Sequence, residues 1–218
     1  MLEKQLPYKH KIYEAIKKEI LCGRYAPGTV LNERQLSEEF GISRTPVREA
    51  LQMLAQDGWL QIETYKGAVV REFSPRYMWE VARIRQALEI CAVEGAAANI
   101  TDADILKLGE IQDAQRQVLE HFDVLNYILL DRTFHGCIYD LSGNSELIHL
   151  LRNYYDIFRF LGTQAVLNSE ERRSTTLAEH QAILDALKRR DVTAATEAMR
   201  IHMENTEKNM RNHITQDT

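Results

Sequence analysis

The sequence predicts a mainly α-helical protein in two parts, of which only the first carries strands. Three observations lead there. Apolar residues recur at helical spacing from Lys9 almost to the C-terminal end. Strand-like alternation replaces that spacing once, between Leu60 and Val70. Ser74-Pro75 then separates this mixed first third from a remainder with helix signals alone, so domains are expected at 1–74 and 75–218.

Lys9 to Leu21 makes the first helix, with Ile12, Ile16 and Ile20 on one stripe and Gly23 and Pro27-Gly28 as stops. Asn32 is placed to cap a short second helix, Glu33 to Phe40. Gly41-Ile42 turns the chain to Ser43, a suitable N-cap for a third helix reaching Asp57. Two helices joined by a short Gly-containing turn form a helix-turn-helix. After Gly58, Leu60, Ile62 and Thr64 alternate, and Tyr65-Lys66-Gly67-Ala68 leads into Val69-Val70-Arg71, two short strands about a tight turn. That hairpin is a wing, and the first part reads as a winged helix-turn-helix.

Beyond Pro75 an all-α bundle of six helices is expected, at about 76–98, 102–121, 123–141, 144–167, 170–189 and 192–211. Breaks at Thr101-Asp102, Phe122-Asp123, Ser142-Gly143-Asn144, Asn168-Ser169 and Arg190-Asp191 supply caps and turns. There is no internal repeat or low-complexity tract.

The 218 residues are 44% hydrophobic, ample for a buried core. No apolar run approaches the ~18 residues of a membrane span, and Met1 to Pro7 lacks an apolar signal segment, so a cytoplasmic protein without membrane contact is expected. Cys22, Cys91 and Cys137 are scattered and odd in number, which favours small core residues over disulfides or a Cys-ligated zinc. The net charge of −5 argues against a nucleic-acid partner, but it is unevenly divided. Residues 1–74 hold 11 Lys/Arg against 10 Asp/Glu, and residues 75–218 hold 16 against 22. Only the first part is free to approach DNA.

In the third helix Val47, Ala50, Leu51 and Leu54 share the inward face, which leaves Arg44, Thr45 and Arg48 outside. A recognition helix brings its N-terminal residues to the base edges, where a guanidinium forks onto guanine. Pro46 in the first turn costs no intrahelical bond. Arg34 on the second helix, and Lys66 with Gly67 at the wing, are placed for phosphate or minor-groove contacts. Solvated charges on an amphipathic helix remain the plainer alternative for the two recognition-helix arginines.

The stretches Leu31-Asn32-Glu33-Arg34-Gln35-Leu36-Ser37 and Ser43-Arg44-Thr45-Pro46-Val47-Arg48-Glu49-Ala50-Leu51 resemble the GntR family of bacterial regulators. The resemblance implies DNA contacts by Arg34, Arg44, Thr45, Arg48 and the wing turn, and a homodimer on a palindromic double-stranded operator. The wing departs from the family, reading Tyr65-Lys66-Gly67-Ala68 where many members show Gly-Arg/Lys-Gly-Thr.

In the helix expected over 123–141, Val124, Ile128, Asp131, His135 and Ile138 share one face, so two polar groups interrupt an apolar stripe. His180 lies among Leu177, Leu184 and Leu187, and His202 among Ala195, Ala198, Met199 and Thr206. One inward carboxylate and three inward imidazoles must be satisfied in a helical interior, by hydrogen bonds or by one divalent cation. The donor set suits zinc, and also nickel, manganese or iron. These residues resemble the metal-binding FCD class of FadR-like GntR regulators, with Asp131, His135, His180 and His202 as the implied ligands.

Arg83-Ile84-Arg85-Gln86-Ala87-Leu88-Glu89 resembles that class's Arg-x-x-Leu-Glu stretch, where Arg85 either meets the carboxylate of a small organic-acid effector or pairs with Glu89 along the helix. Two rival functions stay open: a metal sensor with no organic effector, and a metal-dependent enzyme.

Overall fold

The computed structural model describes residues 7–167 and 169–214, which fall into two compact units divided after Ser74. The first unit contains α1 (Tyr8–Leu21), β1 (Val30–Leu31), α2 (Glu33–Glu39), α3 (Arg44–Gln56), β2 (Leu60–Glu63) and β3 (Gly67–Val70). Helix α1 packs on α3, burying Ile12, Ile16 and Ile20 of one and Val47, Ala50, Leu51 and Leu54 of the other. The Asn32 side chain accepts from the Arg34 and Gln35 amides and so starts α2. Ser43 stands at the N-cap of α3 without a side-chain cap bond.

The hairpin gains a partner that the sequence did not announce. Strand β1 adds to it antiparallel, in the order β1-β3-β2, with Val30 opposite Val69 and Leu31 opposite Ala68. Two residues are too short a run for periodicity to register. The wing turn carries Tyr65 at φ 72° and Gly67 at φ 93°. A left-handed tyrosine is unusual there, and its side chain stands fully in solvent.

The second unit comprises α4 (Pro75–Asn99), α5 (Asp102–Val118), α6 (Val124–Leu141), α7 (Ser145–Asn153), α8 (Tyr155–Leu167), α9 (Glu170–Lys188) and α10 (Val192–Ile214). Among the described residues it therefore has seven helices, because the one expected over 144–167 divides at Tyr154. At that residue ψ rises to 3°, yet the i to i−4 bonds on either side persist, Tyr154 N–H to Leu150 at 3.2 Å and Phe158 N–H to Tyr154 at 2.9 Å. The helix divides without a proline or a glycine to mark the place.

Caps define most other starts. Thr101 and Asp104 form a capping box on α5, and the carboxylate of Asp123 accepts from the Leu125 amide at 2.9 Å. Residue 168, half of one expected break, lies outside the described residues, as do residues 1–6; Ser169 caps α9 through the Arg172 amide. Helix α10 lies along α4 and α9, α5 against α6 and α9, and α4 against α6. Gly95 permits the approach of the chain at Ser142, whose carbonyl oxygen would stand 2.5 Å from an added Cβ. The expectation of three core cysteines is corrected: Cys91 is exposed, and Cys22 and Cys137 are only partly covered. Among the described residues no helix is long and apolar enough to cross a membrane.

Candidate nucleic-acid interface and metal centre

In the first unit the start of α3 is free of the core. Arg44, Thr45 and Arg48 are exposed and Pro46 is half-buried in the first turn. A groove runs beside them, lined by Asn32, Glu33, Arg34, Arg44, Arg48 and Lys66, with Gly67 at its wing end. Three of its four cations hold carboxylates. Arg48 forks onto Glu33 through Nε and Nη2 at 2.9 and 2.8 Å, Arg34 Nε donates to Glu38 at 2.9 Å, and Lys66 lies 2.8 Å from Glu63. Arg44 has no hydrogen-bonded partner among the described residues. At these exposures such pairs contribute little stability, so the cations are held ready rather than locked.

In the second unit α6, α9 and α10 each deliver one histidine to a common interior point. His135, His180 and His202 are buried, and one ring nitrogen from each lies within 4.8 Å of the others. Each Nδ1 faces a partner: His135 Glu89 Oε2 at 2.9 Å, His180 Gln115 Oε1 at 3.2 Å, and His202 Glu179 Oε2 at 2.7 Å. Ionised carboxylates only accept, so Nδ1 carries the proton in His135 and His202. Gln115 spends its Nε2 on the Tyr127 carbonyl, which turns its oxygen to His180 and fixes the same tautomer there.

The three Nε2 lone pairs are thereby aimed inward, and those of His135 and His180 are buried with no hydrogen-bond partner. Buried imidazole acceptors that converge without a donor are an arrangement that a divalent cation satisfies, and imidazoles oriented through the far nitrogen are the usual support of such a site. Asp131 stands beside the triad, its Oδ1 3.6 Å from His180 Nε2.

Burial pulls His180 well below the ordinary imidazole range, and burial likewise outweighs Glu179 in holding His202 down to about 4. Both are neutral at pH 7, the form that ligates metal. Burial pushes the Glu179 carboxyl up, but His202 and Arg172 hold it down to about 2.

Arg85 is buried and pairs with Glu89 through Nε at 3.1 Å, the pairing foreseen as one of its two roles. It also lines a small cleft with Asp131, Arg172, Thr176, His202 and Thr206, with space for about one water. Arg172 donates to Glu179 and to Thr206, each at 2.8 Å. Sequence reasoning named Glu89 only as a partner of Arg85, not of His135, and missed Gln115, Glu179, Arg132 and Arg172. Glu179 adjoins His180 and Glu89 sits four residues after Arg85, so a signal existed for both; nothing in the sequence singles out Gln115.

Fold and site together define a DNA-reading unit joined to a helical unit with a buried histidine centre. Residues 8–70 match the model of bacterial regulatory proteins of the gntR family, and residues 80–205 match the FCD domain. The chain belongs to the GntR family of bacterial transcription regulators, in its FCD-containing, FadR-like branch. It is 30% identical to the uncharacterized HTH-type transcriptional regulator YdhC of Bacillus subtilis, over 92% of this chain and 90% of that one. It is also 30% identical to the HTH-type transcriptional repressor RspR of Escherichia coli, over 94% and 90%. Among solved structures, E. coli McbR/YncC superposes with a TM-score of 0.77 at 25% identity, covering 98% of this chain and all 100% of the other. These relatives are transcription regulators, and the chain is a regulator rather than an enzyme.

Proposed function

We propose that this cytoplasmic protein is a ligand-responsive repressor that binds a palindromic operator as a homodimer. Arg44, Thr45 and Arg48 read bases from α3, with Pro46 setting its first turn, while Arg34, Lys66 and Gly67 contact the backbone or minor groove. Paired half-sites require paired readers. The naming of RspR as a repressor supports repression.

The helical unit holds a divalent ion, zinc suiting the donors best, through Asp131, His135, His180 and His202. The observation that carries this reading is the convergence of the three histidines, with the Nε2 atoms of His135 and His180 buried and without a hydrogen-bond partner. Bound there, the ion supplies a Lewis-acid point for a carboxylate oxygen. The buried charges favour an anionic effector. Arg85, Arg132 and Arg172 balance Glu89, Asp131 and Glu179, so a dication leaves the interior positive. Arg85, on the cleft wall, is the residue to receive a small organic acid.

The test is metal content and operator affinity, measured on protein purified without added metal, then after gentle chelation and after metal is restored. Retained metal and operator binding that responds to an organic acid support the reading. Operator binding lost on chelation and regained with metal alone would make the ion itself the signal.

A further inference from the structure

Glu89 is fully buried on α4, and its two oxygens serve different groups. Oε1 accepts from Arg85 Nε at 3.1 Å and from the Tyr139 hydroxyl, and lies 3.8 Å from Arg132 Nη1. Oε2 accepts from His135 Nδ1 at 2.9 Å. Arg85 meanwhile gives Glu89 only its Nε, makes no other hydrogen bond among the described residues, and borders the cleft shared with Asp131 and His202. One carboxylate thus joins a cleft arginine to a histidine of the triad.

We infer that Glu89 is a positioning residue that couples Arg85 to His135, so that an anion engaging Arg85 tightens the grip of the histidines on their metal, and metal in turn tightens the anion. This rests on the metal reading proposed above. The physical cause is competition for one negative charge. While Arg85 presses on Oε1, less charge is available to the Nδ1–H of His135 at Oε2. An anion at the two Nη atoms neutralises the guanidinium, the bond to His135 strengthens, and Nε2 becomes the better donor to metal. Linkage makes the effect reciprocal. Asp131 lies beside His180, its Oδ1 3.6 Å from Nε2, and none of the bonds of Glu89 involves it, so the coupling runs through the second carboxylate.

The test is zinc affinity of the full chain by competition with a chromophoric chelator, in the parent, Arg85→Gln, Glu89→Gln and the double variant. Each is first checked for cooperative unfolding. Glu89→Gln should weaken zinc by about 10- to 100-fold. Arg85→Gln, which removes the competing cation, should tighten zinc by about fivefold or more. That gain should largely vanish in the Glu89→Gln background, whereas a direct charge effect of Arg85 on the ion would persist there. If Glu89→Gln does not fold, the same cycle is run with Glu89→Asp, whose shorter side chain withdraws from His135 while keeping the charge. Additive effects, or unchanged zinc affinity in the Glu89 variants, overturn the coupling and leave the metal centre standing. A parent that binds no zinc overturns both.

Discussion

Acid should unfold the metal-free helical unit well before carboxylates begin to protonate. The perturbation is removal of metal followed by a pH series from 7 to 4. His202 titrates near 6.5 in an unfolded chain and is held down to about 4 in the fold, chiefly by burial. Between those values the unfolded chain carries a proton that the folded chain refuses, so stability falls as pH falls. At ~1.36 kcal/mol per pH unit the full loss from this residue is about 3 kcal/mol, with about 2 kcal/mol of it gone by pH 5. His180 is shifted in the same direction and adds to the loss. For a urea slope of ~1–3 kcal/mol/M, the midpoint should drop by roughly 1 M between pH 7 and 5. Trp79, at the start of α4, reports this unit in a Trp59→Phe background, since the chain has only two tryptophans. A midpoint that stays flat over that range, or a His202→Gln variant with the parent's slope, would refute the reasoning.

Zinc at about 1,000 times its Kd should stabilise the same unit by about 4 kcal/mol at pH 7, read as a rise in Tm, and the gain should shrink as pH falls and protons compete for the histidines. His135→Ala should abolish tight zinc binding in an equilibrium dialysis assay while operator affinity, measured by fluorescence anisotropy, changes far less. Arg44→Ala or Arg48→Ala should cost about 1–3 kcal/mol of operator affinity and little affinity for random DNA; equal losses on both would show a phosphate contact instead. Gly95→Ala should lower Tm despite the better helix propensity of alanine, because its Cβ would meet the Ser142 carbonyl oxygen at 2.5 Å, a backbone atom that cannot swing aside.

The parts of this protein legible in its sequence are those fixed locally. Asn32, Gly41 and the Val47 to Leu54 stripe lie within one helix-turn-helix, so spacing alone separates the buried face of α3 from Arg44, Thr45 and Arg48. Inward phase likewise exposed Asp131, His135, His180 and His202, since a polar residue on an apolar stripe is visible before any tertiary contact forms. The Nδ1 partners were harder to see, because Gln115 on α5 meets His180 on α9 across 65 positions and Glu89 meets His135 across 46. The division at Tyr154 falls at no proline or glycine, and the pairing of β1 depends on the hairpin it joins. Cys91 shows the opposite failure: an apolar residue type gives no assurance of burial when its helix face turns to solvent.

The arrangement of charge explains why such a centre can respond to a ligand. Buried ion pairs roughly break even against their desolvation, so the three arginine and three carboxylate side chains shape the interior without strongly stabilising it. The unpaired Nε2 atoms cost free energy that a cation recovers. With the proposed cation bound, the surplus positive charge faces a cleft walled by Ile128 of α6 and by Gly162, Ala165 and Val166 of α8, with room for about one water. A multi-atom acid therefore requires that wall to yield. Helix α8 begins directly after Tyr154, where the single helix expected over this stretch divides. Two positions of α8 that differ in affinity for the acid are the least that a ligand-driven shift requires, since a ligand binding both equally would shift nothing.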